Sequence, residues 1–504
     1  MLKIRKALIS VWDKKGTLEF ARRLTSLNIE IISTGKTAGL LKKSGIPVKE
    51  VASITSFPEI LSGRVKTLHP KIFGGILANK KHPLHMEEIR NLGIQPIDMV
   101  VVNLYPFIQK TRERLSPDEM IEYIDVGGPS MLRAAAKNFK NVACISANQQ
   151  YKTVIAELEA NNGFLSEDTL KFLAQEAFYL TKEYDTAIYN YLKGKNILSW
   201  NLEETFPLRY GENPHQKGGL FRVADGNHVK FKQLQGKELS YNNFLDLDTA
   251  LKMVKEFSEP AAAVVKHASL CGVGLAKKLS AAYKKAYLCD AVSSFGGIIG
   301  LNRKVDKDTA LGVLKSGFKE CIIAPSYSRE AIKIFSSRKN LRVLESDFSQ
   351  KGGLKDIKST LFGCLIQTRD KITFDKNNLK IATRKKPTQA QLKDLIFAWK
   401  VVKLVKSNAI VTAKNQSVLG IGGGQPSRVG SVKIALSGSG SGYKGGVLAS
   451  DGFFPKADSI KVAHKKGIKA IIQPGGSIRD AEVIAACDKL GISMIFTGIR
   501  HFRH

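Results

Sequence analysis

Hydrophobic and polar positions in the first part of the chain alternate between the strand period and the helix period. A continuous apolar run at 7–11 predicts a buried strand, and apolar side chains then recur at helical spacing over 18–27. Residues 29–32 predict a second strand, followed by a helix that opens in the segment STGKTAGLLKK. The most apolar run, 97–104, predicts a central strand, because buried parallel strands form unbroken apolar stretches. This alternation is typical of a doubly wound parallel sheet.

A domain boundary is predicted where this pattern stops. Residues 166–193 predict a long helix, and the polar connector GKNILSWNLEETFPLRYGENPHQ follows it. We place the boundary near Lys195, which gives residues 1–195 and 196–504 as two domains.

The second domain again mixes strands and helices. Residues 276–287 predict a helix, and Lys414, Asn415 and Gln416 predict the turn of a hairpin. The predicted strands are 261–265, 409–412, 418–421, 470–473 and 494–496. No repeat of fixed period is apparent. The fold class is therefore α/β throughout.

Composition narrows the class of protein. A chain of 504 residues is long enough for roughly three average domains or two large ones. Its 78 basic and 45 acidic side chains give a formal charge of +33. Such charge attracts nucleic acid or phosphorylated substrates, but it also arises from a surface that is solvated by lysine. Because no nucleic-acid-binding motif accompanies the charge, we favour the solvated surface over a basic nucleic-acid-binding protein.

The cysteines and the apolar runs bear on the compartment. The six cysteines are scattered and form no C-x-x-C pair, which argues against a zinc ribbon and fits a reducing compartment. No apolar run approaches the ~18 residues of a membrane span. The basic opening MLKIRKALISVWDKK is interpreted as a first strand rather than a signal peptide. We expect a soluble cytoplasmic protein.

Two familiar nucleotide motifs fail on inspection. STGKT resembles a Walker loop, but the first glycine of that motif would fall at Glu30. The glycines of 420–424 do not complete G-x-G-x-x-G in either register. The sequence therefore does not support a kinase or a dehydrogenase.

Three segments of the first domain nevertheless suit an anion. Residues 33–35 follow a strand and open a helix whose free amide groups would bind a phosphate, although an ordinary helix cap has the same pattern. The segment DVGGPS leads into a helix in which Arg133 and Lys137 share a face, and Lys137 also fits a solvated surface lysine. Residues 63–76, GRVKTLHPKIFGGI, pack cations between glycines and suggest a ligand loop rather than a helix or strand.

In the second domain the strongest candidate is the pair Lys266 and His267 at the end of an apolar strand. A histidine is the usual proton acceptor near neutral pH, and a neighbouring lysine stabilises a developing oxyanion. Strand-end polar residues often only face water, so the pair alone is weak. Further loops that follow strands, 450–455 and 473–477, together with Asn408 and Arg428, favour an active site.

Taken together, these segments resemble a known family. The motifs GRVKTLHPKIFGGIL, NLYPF, DVGGPSMLRAAAKN, LRYGENPHQ, ELSYNN, VVKH, SSFGG, SDGFFP, QPGGSIRD and TGIRHFRH occur in family order. They resemble the bifunctional purine-biosynthesis enzymes that combine 5-aminoimidazole-4-carboxamide ribonucleotide (AICAR) formyltransferase with inosine monophosphate (IMP) cyclohydrolase. The resemblance covers essentially the whole chain.

The resemblance implies the architecture and the reactions. It implies a methylglyoxal-synthase-like cyclohydrolase domain first, and then a formyltransferase region of cytidine-deaminase-like units. The expected sequence is formyl transfer from 10-formyltetrahydrofolate to AICAR, and ring closure of formyl-AICAR to IMP. The family transfers the formyl group without a metal, and the zinc pattern of the deaminases is absent here. Potassium is associated with some members, and the family works as a homodimer.

For ring closure the resemblance assigns roles to matching positions. Lys137 is the expected acid/base residue, with Asp125 and Tyr105 around the reacting carboxamide. The expected nucleotide contacts are Ser10, Asp13, Lys14, Ser33, Thr34, Gly35, Lys36, Thr37, Arg64, Lys66, Thr67, Asn103, Val126 and Gly127.

For formyl transfer the resemblance makes His267 the base that accepts a proton from the attacking amine. Lys266 would stabilise the tetrahedral oxyanion or assist the departing folate nitrogen. The expected ligand contacts are Arg209, Tyr210, Gly296, Glu320, Asn408, Arg428, Phe453, Asp458, Ser477 and Arg500.

Several positions depart from the family pattern. Trp12 replaces a serine of the first nucleotide loop, so any contact there falls to the backbone. The other departures are Phe73, Ser269, Leu270, Glu320 and Lys456. None removes a residue that the resemblance makes catalytic, but they leave open a chain that keeps only one of the two activities.

Overall fold

The computed structural model describes residues 1–113, 115–194, 197–198, 200–223, 228–350, 353, 355–372, 379–437 and 441–504. The chain divides into two compact units, Met1–Ser199 and Trp200–His504. Lys195, at which the sequence places the boundary, lies outside the described residues.

The first unit is built on a parallel sheet. Its strands are β1 Leu2–Lys3, β2 Lys6–Val11, β3 Glu30–Ser33, β4 Lys49–Glu50, β5 Met99–Asn103, β6 Ala143–Ile145 and β7 Phe164–Leu165. Five of them pair in the order β4-β3-β2-β5-β6, and all these neighbours run parallel. The short β1 and β7 form a separate antiparallel pair.

Helices cover both faces of this sheet. They are α1 Thr17–Ser26, α2 Gly35–Lys43, α3 Val51–Thr55, α4 Pro70–Leu77, α5 Pro83–Asn91, α6 Phe107–Lys110, α7 Pro117–Ile121, α8 Gly127–Lys137, α9 Tyr151–Ala160 and α10 Glu167–Lys193. Ile9 and Val101 pack in one apolar core with α1 and α9, whereas Leu8 and Val100 pack in another with α4 and α8. Because strand side chains alternate between faces, these two cores confirm the doubly wound arrangement.

Two sequence predictions for this unit need correction. The apolar run at 97–104 forms β5, which is interior but not central, since β2 occupies the middle of the sheet. An apolar run reports burial on both faces, which every interior strand shares. The segment 63–76 is only partly a loop, because its second half forms helix α4. His69 caps that helix and Pro70 takes its first position, where the fixed φ of proline is compatible with a helix.

The strands of the second unit form one long mixed sheet and two hairpins. They are β8 Leu202–Leu208, β9 Gly218–Val223, β10 Phe231–Gln235, β11 Ala261–Lys266, β12 Ser269–Leu275, β13 Ile298–Leu301, β14 Cys321–Ala324, β15 Arg342–Ser346, β16 Lys355–Thr360, β17 Gly363–Thr368, β18 Lys380–Ile381, β19 Ile410–Lys414, β20 Ser417–Gly422, β21 Val447–Ser450, β22 Ala470–Gln473 and β23 Ser493–Phe496. The long sheet has the order β10-β15-β14-β13-β11-β12-β20-β19-β21-β22-β23-β18. The polar connector of the sequence analysis contains β8, which pairs with β9.

Helices again cover both faces. They are α11 Tyr241–Lys255, α12 Leu279–Cys289, α13 Lys307–Lys315, α14 Arg329–Phe335, α15 Gln389–Val402, α16 Arg428–Ala435, α17 Asp458–Lys465 and α18 Asp480–Leu490. Helices α11 and α15 share one apolar core on one face of the sheet. The opposite face carries two separate cores, one under α12, α13 and α14 and the other under α16, α17 and α18.

This unit is an internal duplication, although the sequence shows no repeat of fixed period. The succession α11, β11, β12, α12, β13, α13, β14, α14, β15 recurs as α15, β19, β20, α16, β21, α17, β22, α18, β23. The two copies meet in the sheet where Gly274 of β12 pairs with Ser417 of β20. In both copies a glycine lets the next helix approach closely: an added Cβ on Gly272 would lie 2.1 Å from the Ala286 carbonyl oxygen, and one on Gly420 would lie 2.2 Å from that of Ala435.

Candidate active sites

The carboxyl ends of β2, β3 and β5 gather polar side chains at one edge of the first sheet. Ser10 Oγ lies 3.0 Å from Thr34 Oγ1, so the loops after β2 and β3 are in contact. Asn103 Oδ1 accepts hydrogen bonds from the amides of Trp12 at 2.5 Å and Asp13 at 2.9 Å. The carboxyl edge of a parallel sheet is where such folds bind ligands, so residues far apart in sequence converge as predicted.

The loop after β3 forms the predicted helix N-terminus. Thr34 is the N-cap of α2, and Gly35 has φ 41°, in the left-handed region that favours glycine. Ser33 Oγ donates to the Ile9 carbonyl at 2.6 Å, and Thr37 Oγ1 donates to the Val11 carbonyl at 3.1 Å. These two hydroxyls fix the loop to β2, which leaves the helix amides as the loop's donors to an anion.

Three lysines concentrate positive charge beside this loop. Burial lowers the pKa of Lys14 below its ordinary value, and the nearby charges of Lys66 and Lys36 lower this pKa further. Mutual repulsion of this kind is relieved when an anion binds among the cations. The cluster therefore has the charge that a phosphate group requires.

Asp125 is the acidic group of this site. Burial raises its pKa, whereas hydrogen bonds from the amides of Gly128 and Tyr105 and the charge of Lys66 oppose that rise. The Gly128 amide lies 2.8 Å from Asp125 Oδ1. The Asp125 amide donates to the Tyr184 hydroxyl at 2.8 Å, which ties the loop to α10. Asp125 and Tyr105 are thus adjacent, as predicted.

The remaining predicted residues of this site differ in how exposed they are to solvent. Thr67 is buried, and an added Cβ on Gly127 would lie 3.1 Å from its hydroxyl oxygen. Arg64 forms an exposed ion pair with Glu122. Val126 is exposed at the start of α8.

Lys137 is the exception to this convergence. It is the last residue of α8, whereas Asp125 lies just before the helix begins. At 1.5 Å per residue, the two ends of this helix lie about 15 Å apart. Within one chain, the Lys137 backbone therefore lies at the far end of α8 from Asp125.

An aromatic cluster lies at this site and was not predicted as a functional feature. The Trp12 ring centroid lies 4.9 Å from that of Tyr105 and 6.2 Å from that of Tyr123. The Trp12 side chain remains 46% exposed. A half-exposed indole beside the loops after β2 and β5 offers a flat apolar surface to a planar ring.

In the second unit, Lys266 is the last residue of β11 and His267 follows it directly, at the predicted strand end. Lys266 Nζ donates to the Phe295 carbonyl at 2.9 Å, and the His267 side chain is exposed. The Gly296 amide donates to the Phe318 carbonyl at 2.9 Å, which joins the loops before β13 and β14.

A cavity lies on the same edge of the sheet. Its volume is about 350 Å³, and Arg209, Tyr210, Lys237 and Arg342 are among its lining residues. Arg342 Nη1 lies 2.6 Å from Glu320 Oε2, so the predicted contact Glu320 is paired with a cation that the sequence analysis missed. Three cations and one acidic residue, Glu238, are its charged lining residues, so its net charge is positive and suits an anionic ligand.

The other predicted contacts surround a buried ion pair in the second copy. Arg428 Nη1 lies 2.5 Å from Asp451 Oδ1 and 2.8 Å from Ser450 Oγ. Arg428 Nη2 donates to Asn408 Oδ1 at 2.8 Å. Because Arg428 is 8% exposed, its guanidinium is largely occupied by these internal partners.

Further residues lie on the loops after β21, β22 and β23. Phe453 is 41% exposed, and Asp458 is the first residue of α17. The Arg479 amide donates to Ser477 Oγ at 3.1 Å. The Arg500 guanidinium lies 4.6 Å from the centroid of the Phe502 ring.

The residues around Lys266 and the residues around Phe453 lie on one edge of the long sheet, but at different places along that edge. Strand β11 ends at the edge where the antiparallel β13 begins, and β21 ends at the edge where the antiparallel β19 begins. Four strand-to-strand steps separate β11 from β21 in the sheet, which corresponds to about 19 Å. We call Lys266, His267, Gly296 and Glu320 the Lys266 group, and Asn408, Arg428, Phe453, Asp458, Ser477 and Arg500 the Phe453 group. These two groups therefore do not form one pocket within a chain.

The signal that would have found the missed residues differs in each case. Arg342 lies in no motif of the sequence, so only its pairing with Glu320 identifies it. Asp451 stood in the predicted loop 450–455 without a role. Trp12 departs from the family pattern, and only its contacts with Tyr105 and Tyr123 indicate a role.

The described part of the chain contains neither a candidate membrane span nor a candidate metal cluster. No helix there combines the length and the hydropathy that a bilayer crossing requires. Within the same ranges, no cluster of three or more His, Cys, Asp or Glu side chains is arranged to hold a metal ion.

Comparison with known proteins matches nearly the whole chain. The AICARFT/IMPCHase bienzyme family model matches residues 135–438, and the MGS-like domain model matches residues 16–130. The "Bifunctional purine biosynthesis protein PurH" of a Thermoanaerobacter species is 49% identical over 511 residues, covering 99% of this chain and 100% of the relative. The protein of the same name from Clostridium botulinum is 49% identical over 506 residues, with the same two coverages.

A solved structure is similar to part of the chain. It is described as "Crystal structure of ForH", is 34% identical, and covers 37% of this chain and 97% of its own. Its TM-score is 0.33.

Proposed function

Because the chain belongs to the AICARFT/IMPCHase bienzyme family, we infer that a single polypeptide catalyses the last two steps of purine biosynthesis. It is a bifunctional enzyme, an AICAR formyltransferase and an IMP cyclohydrolase. The observation that carries this conclusion is the 49% identity over 99% of the chain to relatives of that name.

We propose that the two units divide the reactions. The first unit, which contains the match to the MGS-like domain, would close the ring, and the second would transfer the formyl group. In transfer, the 5-amino nitrogen of AICAR attacks the formyl carbon of 10-formyltetrahydrofolate and loses a proton, and tetrahydrofolate leaves. In closure, the carboxamide nitrogen attacks the new formyl carbon, and water leaves to give IMP.

For ring closure, the convergence of cations and a buried carboxyl supports the assignment. The Lys14, Lys36 and Lys66 charges and the N-terminus of α2 would hold the nucleotide phosphate. Asp125 and Tyr105 would flank the carboxamide. Fixing the two reacting groups of one molecule supplies much of the acceleration, because intramolecular attack gains from orientation.

We propose that a second copy of the chain supplies Lys137 to this site. The separation of Lys137 from Asp125 along α8 supports that arrangement. Mixing an Asp125→Ala variant with a Lys137→Ala variant tests it. If the proposal is right, hybrid dimers regain cyclisation that neither variant has, because one site keeps both groups. Absence of recovery in demonstrated hybrids would overturn it.

For formyl transfer, His267 would accept the amine proton and Lys266 would stabilise the tetrahedral oxyanion. Arg209 and Tyr210, in the cationic cavity, would hold the nucleotide phosphate end of AICAR. The Phe453 group lies about 19 Å from Lys266 along the sheet. We propose that a homodimer joins the Lys266 group of one copy to the Phe453 group of the other.

The remaining parts of the proposal concern the cosubstrate, the ion and the compartment. The formyl donor is a formyl-folate, for which we propose 10-formyltetrahydrofolate. A potassium dependence would appear as faster transfer in potassium than in sodium at equal ionic strength. All six cysteines are free thiols, which supports a reducing compartment such as the cytoplasm.

Paired activity assays on two variants test the division of labour. Purified protein should consume the formyl-folate only when AICAR is present, and IMP should appear. Lys137→Ala should abolish cyclisation and spare transfer, and His267→Ala should do the reverse. Loss of both activities in either folded variant would contradict separate sites, and absence of both in the folded parent would overturn the function.

The same assays distinguish two alternatives. A chain that has kept only one activity, with Trp12 or Leu270 as the cause, would turn over formyl-AICAR or AICAR but not both. A basic nucleic-acid-binding protein would bind a duplex tightly, with a steep salt dependence and no turnover.

A further inference from the structure

The two copies in the second unit carry the same strained turn. The hairpin of β11 and β12 turns at His267 and Ala268, and the hairpin of β19 and β20 turns at Asn415 and Gln416. These four residues have φ of 53°, 54°, 54° and 54°, in the left-handed region that residues with a side chain rarely adopt. Paired positive φ angles define the tight hairpin turn that asparagine and glycine favour, so His267 and Ala268 need outside support.

A carboxylate from a preceding helix supports each turn. Asp246 of α11 accepts hydrogen bonds from the amide of His267, at 3.2 Å, and from that of Ala268. Asp394 of α15 accepts from the amides of Asn415, at 2.8 Å, and Gln416, at 2.7 Å. In both copies the aspartate therefore bonds both amides of the turn and ties it to a buried helix.

The two turns differ in the chemistry they display. The first presents His267, exposed beside Lys266, toward the edge that carries Gly296 and Glu320. The second presents the neutral Asn415, whose carbonyl accepts a hydrogen bond from Lys285 Nζ at 2.6 Å. The scaffold is duplicated, and only one copy of the turn holds a proton acceptor.

We propose that Asp246 is a positioning residue for formyl transfer. By holding the backbone of His267 and Ala268 in the left-handed conformation, it aims the imidazole at the attacking amine. Asp394 performs the same structural task in a turn without chemistry, so it is a matched internal control. This inference rests on the proposed role of His267 as the base.

Asp246→Asn and Asp394→Asn test the proposal in the full-length enzyme. Asparagine offers one acceptor and places its NH2 group against the second amide, so each variant loses equivalent bonds. Asp246→Asn should lower kcat for formyl transfer by about a hundredfold, the loss that a small misplacement of a reacting group produces. Its KM for AICAR should stay within a few fold, and cyclisation of supplied formyl-AICAR should be unchanged. Asp394→Asn should keep both activities while losing a similar amount of thermal stability.

The outcomes separate positioning from simple structural support. Equal losses of kcat in the two variants would overturn the proposal, as would parental kcat in Asp246→Asn. Asp246→Glu, which retains two acceptors, should recover part of the kcat lost in Asp246→Asn, and failure to recover any would also count against it. His267→Ala is measured in parallel: unchanged transfer in that variant would refute His267 as the base, a failure of the proposed function that the aspartate variants do not share.

Discussion

The guanidinium of Arg428 is held 2.5 Å from the carboxylate of Asp451, with both side chains almost completely buried. Removing one partner of a buried ion pair leaves the other charge unpaired in a medium of low polarity. Asp451→Ala should therefore destabilise the second unit by about 3–5 kcal/mol. Thermal unfolding measures this loss.

An exposed ion pair in the same unit provides the control for that prediction. Asp248 pairs with Lys252 one helical turn away on α11. Asp248→Ala should cost no more than about 0.5 kcal/mol, because solvent screens such pairs. Comparable losses in Asp451→Ala and Asp248→Ala would mean that the buried pair has no special structural role.

Trp12 should report on nucleotide binding at the cyclohydrolase site. It is one of three tryptophans and is 46% exposed, whereas Trp399 is buried. Stacking of a purine on the indole should quench its fluorescence, and Trp12→Phe should remove most of that change. Trp12→Ala should weaken IMP binding about threefold to tenfold, the value of one aromatic contact. A full signal in Trp12→Phe would place the purine elsewhere.

Asp125→Asn should lower the rate of cyclisation without lowering the thermal stability of the protein at neutral pH. Burial raises the pKa of Asp125, so the folded state holds this proton more tightly than the unfolded state does. Its contribution to stability is complete below the ordinary aspartate pKa and is lost as pH rises through the raised value. At neutral pH the charged carboxylate therefore reduces stability, and the neutral amide should not.

The measurement for Asp125→Asn is thermal unfolding across pH, with activity in parallel. The variant should melt at or above the parental temperature at pH 7, and the advantage should disappear at low pH, where the parental carboxyl is protonated. Cyclisation should fall and formyl transfer should remain. A variant that is less stable than the parent at pH 7 would contradict this account of the carboxyl.

Gly272 of β12, which packs closely against α12, should not tolerate a methyl group. A Cβ on Gly272 would lie 2.1 Å from the Ala286 carbonyl oxygen. Gly272→Ala should cost about 1–3 kcal/mol or more, because the helix must move away. Gly39→Ala is the control: it lies within α2 with open space around it and should gain up to about 1 kcal/mol. Equal changes in the free energy of unfolding of the two variants would show that the close approach of α12 to Gly272 does not limit stability.

The first site was largely predictable because sheet topology controls it. Ser10 and Asn103 lie at the carboxyl ends of β2 and β5, and Thr34 follows β3. Parallel strands end at a common edge, so the residues that the resemblance names at these strand ends come together. Lys137 shows the limit of that reasoning. Its position on a helix was predicted, but its distance from Asp125 depends on where that helix begins.

The duplication and the His267 turn were not predictable in the same way. The hairpin at Asn415 was expected because asparagine favours positive φ. The equivalent turn at His267 and Ala268 has no such residue and depends on Asp246, a helix residue that is distant in sequence. The equivalent hydrogen bonds of the two copies come from Asp246 and Asp394, and they form only in the folded chain.

Helices α11 and α15 contribute to one apolar core, so each half of the second unit depends on the other half to bury part of its apolar surface. Melting one half would expose the inner surface of the other, so the unit should unfold in a single cooperative step. The turn at Asn415, which carries no proton acceptor, is then held in the same folding unit as the turn that carries His267. Cutting the gene between them would yield two insoluble fragments rather than a minimal transferase.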